Sequence, residues 1–185
     1  MSSSRFDENL NVAQDWRNHK PECGPVTLPA SSECDASNQS TVLEAILLPV
    51  DEDAPRLINV ICETEYYEDE GPWYEAKIKH LYPNMSFIRD MPIQTMGING
   101  PALEGDRCIA MLYDDESLIN GSSVNRCVQR LTNGKARHRW CGNLVVLRLH
   151  PCDFDVTKYR SANLHEDIEP VRRYLEDYAV SFNTI

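Results

Sequence analysis

The chain lacks a long apolar run, an excess of positive charge and any C-x2-C pair. Each absence closes off a class of protein. No stretch approaches the roughly 20 apolar residues that a membrane-spanning helix needs. The formal net charge is −11, which repels phosphate backbones and anionic lipid, so neither nucleic acid nor membrane is an expected partner. Residues 1–14 are polar, and no secretory signal is read in them. The seven cysteines are odd in number and scattered. Without a secretory signal, reduced thiols and a cytoplasmic or nuclear location are expected. No G-x-G-x-x-G, P-loop, G-x-S-x-G or H-E-x-x-H motif occurs.

What is present is ordinary globular material. Of 185 residues, 42% are hydrophobic and 25% charged, enough for one core with a tail. Residues 1–40 read as an appendage and linker, with few apolar anchors beyond Trp16, Val26 and Leu28. Residues 41–185 read as the domain. Aliphatic runs at 41–50 and 57–62 predict strands, with the acidic segment 51–55 turning between them. Tyr74, Ile78 and Leu81 stand at helical spacing, predicting a short helix or turn in 73–81. A strand interrupted by Pro92 is expected in 86–96, and a buried one at 107–113. Asp114, Asp115 and Glu116 then read as a solvated strand end. Ser122 or Ser123 is the expected cap of a helix over 124–131, which Asn133-Gly134 terminates. Residues 144–149 predict another strand. Ile168, Val171, Leu175 and Tyr178 form the stripe of a closing helix, whose start Pro170 places near Asp167. Strands and helices mix without a βαβ repeat. The predicted class is α+β: a mostly antiparallel sheet with two or three helices packed on it, preceded by a loosely ordered N-terminal tail.

Three places invite chemistry. His19 and Cys23 are an i, i+4 pair able to face one metal, but only Cys34 lies near them, and His138-x2-Cys141 and His150-x-Cys152 are far away. Four ligands are not assembled, so no metal or other cofactor is expected. Residues 117–152 contain no Asp or Glu yet carry Arg126, Arg130, Lys135, Arg137, Arg139 and Arg148. One reading is an anion pocket, with Arg126 and Arg130 one helical turn apart. The other is charge matching with 51–53 or 63–70, which is favoured because charges separated in sequence usually balance in space. A Cys141 nucleophile served by His138 is conceivable, but the spacing fixes no contact. A structural corner at His138 and Trp140 is preferred.

Two segments carry a resemblance. Residues 15–23 read D-W-x-x-H-K-x-x-C, and 114–143 follow D-D…N-G-S…N-x-C-V-Q…T-x-G…H-x-W-x-G. Together they resemble small fungal MYND-type zinc-finger proteins, with the finger cut to its last His/Cys half. The similarity covers most of 14–178. It implies an interaction role, since such fingers bind short peptide motifs. The upstream zinc ligands of the finger have no counterpart in 1–14, and less than one tightly held zinc per chain is expected.

Two functions remain. One is a non-catalytic protein-interaction or regulatory protein with an unknown protein partner. The other is an accessory protein or unusual enzyme of fungal specialised metabolism, holding a small molecule near 120–140. Asn120, Asn125, Gln129, His138 and Trp140, with Arg126 and Arg130, are the candidate binding residues. They are separated from a purely structural corner by whether Gln129 and His138 meet in an open pocket. Arg172 is the expected exposed control.

Overall fold

The structure, a computed structural model, describes residues 40–67, 71–84, 87–149 and 159–178. The chain divides into two units, Met1–Asp35 and Ala36–Ile185, and every described residue belongs to the second. Trp16, His19 and Cys23 lie outside the described residues.

Seven strands form one sheet: β1 (Ser40–Leu48), β2 (Arg56–Tyr67), β3 (Gly71–Ala76), β4 (Ile88–Ile93), β5 (Cys108–Asp114), β6 (Leu144–Leu149) and β7 (Tyr159–Arg160). Their order is β3-β2-β1-β6-β5-β4, with β7 also pairing β6. Every pairing between these strands is antiparallel. Two α-helices complete the described residues, α1 (Arg126–Leu131) and α2 (Leu164–Asp177). The fold is α+β. Among the described residues no helix is long and apolar enough to cross a membrane.

Side chains alternate across a strand, so each strand feeds two layers. Ile46, Leu48, Met111, Leu144 and Val146 face one layer, where Val128 of α1 and Val171 and Leu175 of α2 cover them. Ala45, Leu47, Leu112, Val145 and Leu147 face the other. Among the described residues no α-helix covers that side. The link from β3 to β4 joins strands at opposite edges of the sheet, and it brings Ile78 and Tyr82 into this second layer. Tyr82 Oη donates 3.0 Å to the Leu112 carbonyl. Burial holds this phenol far above its ordinary pKa. Tyr82→Phe is expected to cost about 1 kcal/mol, the usual net worth of such a bond, read as a small fall in melting temperature. No fall at all would mean that the hydroxyl contributes nothing to the layer.

Four local expectations are corrected. Residues 71–76 are a strand, followed by a 3-10 turn over Lys79–Leu81, so no α-helix occupies 73–81. Pairing with β2 overrides the helical spacing: Tyr74 sits opposite Thr64, and Ala76 opposite Cys62. The strand around Pro92 is not interrupted. β4 is an edge strand, where a residue without an N–H is tolerated. The α1 cap is Asn125 rather than Ser122 or Ser123. Helix α2 starts at Leu164, and Pro170 lies inside it.

The early start of α2 has a visible cause. Asn163 caps the helix by accepting from the His165 N–H at 3.0 Å. Asp167, fully buried, accepts from the Asn163 N–H at 2.7 Å. Its carboxylate also receives Arg148 Nε at 2.8 Å and Nη2 at 2.9 Å, and Arg107 Nη1 at 3.4 Å. This cluster ties the first turn of α2 to β6 and to the residue before β5. The proline costs one backbone bond further along, and the anchored first turn with the packed Val171, Tyr174 and Leu175 offsets it.

Candidate functional site

The connection between β5 and β6, residues 115–143, is the part of the sheet side with the most polar organisation. It opens on Asp114, which is buried at 2% exposure and is not a solvated strand end. Its carboxylate accepts from the Glu116 N–H at 3.0 Å and from Asn120 Nδ2 at 2.5 Å. Asn120 also donates to the Asn84 carbonyl and accepts from the Ser122 N–H and hydroxyl. That is why Ser122 is not the helix cap: its hydroxyl is already engaged. Ser123 is held too, its carbonyl accepting from the Gly142 N–H at 2.9 Å.

Asn125 is the keystone of this segment. It is fully buried. Its Oδ1 accepts from the Val128 N–H at 2.7 Å, capping α1. Its Nδ2 donates to the Leu48 carbonyl at 2.9 Å and the Gly142 carbonyl at 2.7 Å. One amide therefore joins β1, α1 and the return loop. Val124 and Cys141 form an antiparallel bridge, and the Asn125 N–H donates to the Trp140 carbonyl. The excursion 126–139 is clasped at its base. Thr132 closes α1 by donating to the Val128 carbonyl. Asn133 and Gly134 follow with φ of 49° and 72°, a reversal that a side chain larger than asparagine would strain.

The returning segment runs Arg137, His138, Arg139, Trp140, bends at 137–138 and alternates in exposure. Trp140 is buried at 4% exposure. His138 and Tyr113 meet its ring edge to face at 4.8 and 5.5 Å, and Tyr178 lies 5.3 Å away. The Trp140 Nε1 is buried without a hydrogen-bond partner. Perpendicular rings are surroundings in which an N–H can face a π cloud instead. Between α1 and this segment lies a cleft of about 430 Å³. Val124, Val128, Ala136 and Trp140 supply apolar wall, and Gln129, Arg137, His138 and Arg139 supply polar wall. Gln129 and His138 thus converge on one open cleft, and no hydrogen bond between them is present among the described residues.

The candidate residues separate into two groups. Asn120 and Asn125 spend their amides on the chain itself. Arg126 reaches Asp53 at 2.7 Å and the Asp51 carbonyl, and Arg130 reaches Asp53 at 3.8 Å. These two arginines are matched by the β1–β2 turn. Gln129, His138 and Trp140 line the cleft. Arg137 and Arg139 belong with them, and the sequence marked them only as members of the basic stretch 117–152.

Thiol chemistry finds little support. Cys62, Cys108, Cys127 and Cys141 are free and buried. Burial pushes the Cys127 thiol up to about 12 and Cys62 up to about 11. No hydrogen bond joins Cys141 to His138 among the described residues. Nor do three His, Cys, Asp or Glu side chains gather as a metal site among those residues. No family model, curated protein or solved structure matches the chain. The site is therefore read from its own geometry.

Burial lowers the His138 pKa below its ordinary 6.5. The folded state resists a proton that the unfolded chain accepts. Its contribution to stability is present above about pH 6.5 and is lost as the pH falls toward the lowered value. His138→Phe keeps an aromatic ring and removes the titration. The wild type is expected to lose more melting temperature than this variant between about pH 7 and about pH 5. Parallel losses would show that protonation of His138 does not oppose folding.

Proposed function

We propose that this protein is a non-catalytic protein-interaction or regulatory protein that engages its partner through the cleft between α1 and the segment 134–140. The observation that carries the reading is the meeting of Gln129, His138 and Trp140 in one open cleft. Beside it Asn120, Asn125, Thr132 and Asp114 spend their polar groups on the chain itself, while Gln129 is exposed and His138 half-buried on the cleft. The raised thiols fit a role without nucleophilic catalysis.

The resemblance of 15–23 and 114–143 to small fungal MYND-type proteins supports an interaction role. It also supports a second reading, a small-molecule accessory protein of specialised metabolism. The cleft volume favours that reading, because about 430 Å³ falls within the span of small-molecule sites.

Variants test the proposal against a library of small aromatic compounds of mixed charge. Gln129→Ala and His138→Ala are expected to lose the compounds that the wild type binds, while melting within a few degrees of it. Lys79, whose side chain is 75% exposed and remote from the cleft, supplies the control. Arg172 does not serve as one: it is only 21% exposed and bonded to Glu169 and Glu176. Hits that survive both cleft substitutions would remove the proposal. Unfolding of both variants would return the segment to a structural corner.

A further inference from the structure

We infer that the cleft selects a small planar ligand bearing a carboxylate or similar anionic group, with its apolar body against Val128, Ala136 and Trp140 and its charge at Arg137 and Arg139. This rests on the cleft being the binding site. The observation behind it is a charge asymmetry. The cleft wall carries Arg137 and Arg139 and no acidic residue. Each of the other clefts described here has an acidic wall: Glu104 and Glu166 in one, Asp114 in a second, Glu169 and Asp177 in a third. A cationic cleft in a chain of net charge −11 is a local exception.

The two arginines are also left unmatched. Among the described residues neither forms an ion pair, whereas Arg126 and Arg130 share Asp53. Arg137 also borders the cleft holding Glu169 and Asp177. Those carboxylates are already engaged, Glu169 by Arg172 and Arg173, and Asp177 by the Ile98 N–H. A guanidinium pair without a carboxylate beside an aromatic wall suits an amphipathic acid: the planar forks donate to a carboxylate, and the wall takes a flat ring. His138, whose pKa burial lowers, adds a polar edge to the same cleft. Gln129 offers both a donor and an acceptor for a neutral substituent.

The probes are 2-naphthoate and its uncharged counterpart 2-naphthamide, titrated into the full chain by calorimetry and by the indole N–H resonances. The acid is expected to bind about tenfold more tightly than the amide and to move the Trp140 resonance. Arg137→Gln with Arg139→Gln should erase that preference with an unchanged melting temperature, since both side chains are exposed. Added salt should weaken the acid and leave the amide alone. Equal binding of both probes at the cleft overturns the anion inference while leaving the cleft as a binding site. Failure of either probe to move the Trp140 resonance, or retained preference in the double variant, overturns it as well.

Discussion

Asn125→Ala is expected to lower stability by about 3 kcal/mol. The substitution strands three backbone groups at once, the buried Val128 N–H, the buried Leu48 carbonyl and the half-buried Gly142 carbonyl. Each unsatisfied group costs on the order of 1–3 kcal/mol, and the cap alone is worth about 1. At roughly 2–4 °C per kcal/mol for a domain of this size, the melting temperature should fall by about 10 °C. Asn125→Ser retains an oxygen for the cap and no amide donors, so it should recover only the cap's share. Recovery to wild-type stability by serine would show that the links to β1 and the return loop carry little.

Asp167→Ala should rank next, at about 2–4 kcal/mol. Asp167 is fully buried and is the shared acceptor of Arg148, Arg107 and the Asn163 N–H. Removing it leaves two guanidinium groups with only Glu166, itself 54% exposed. Breaking a buried pair by deleting one partner costs ~3–5 kcal/mol. The arginines are 22% and 24% exposed, so water relieves part of that. Glu166→Ala should cost well under about 1 kcal/mol, as surface pairs do. Chemical denaturation of the two variants gives the comparison. Equal losses would mean that the buried carboxylate does not organise the α2 start.

How far the fold could be read from the residues follows from where its interactions are made. Residues 144–147 form an aliphatic run, and the strand Leu144–Leu149 contains it with both faces buried over those four residues. The left-handed stop at Asn133-Gly134 is a local matter and was legible for the same reason. The cap of α1 was not: Ser122 and Asn125 are both good caps, and only the distant Leu48 carbonyl and the engagement of Ser122 by Asn120 choose between them. The start of α2 was hidden because Asp167 owes its inward position to Arg148, from another element. The strand Gly71–Ala76 was hidden because its pairing with β2 supplies the bonds that helical spacing seemed to ask for.

The site divides in the same way. That 117–152 is basic was plain from composition. Which arginines are spent was not, since Asp53 answers Arg126 and Arg130 across the β1–β2 turn while Arg137 and Arg139 find no carboxylate among the described residues. The Gln129–His138–Trp140 grouping was legible because the sharp turn at Asn133-Gly134 folds the following segment back along α1.

The most direct measurement of the central claim is the map of amide and indole shifts in the ¹H–¹⁵N spectrum as ligands from an unbiased fragment collection are added. Specific binders are expected to perturb Val128, Gln129, His138 and the Trp140 indole together and to leave β2 and the Tyr82 layer still. Binders that cluster elsewhere on the domain, with the Trp140 indole unmoved, would contradict it.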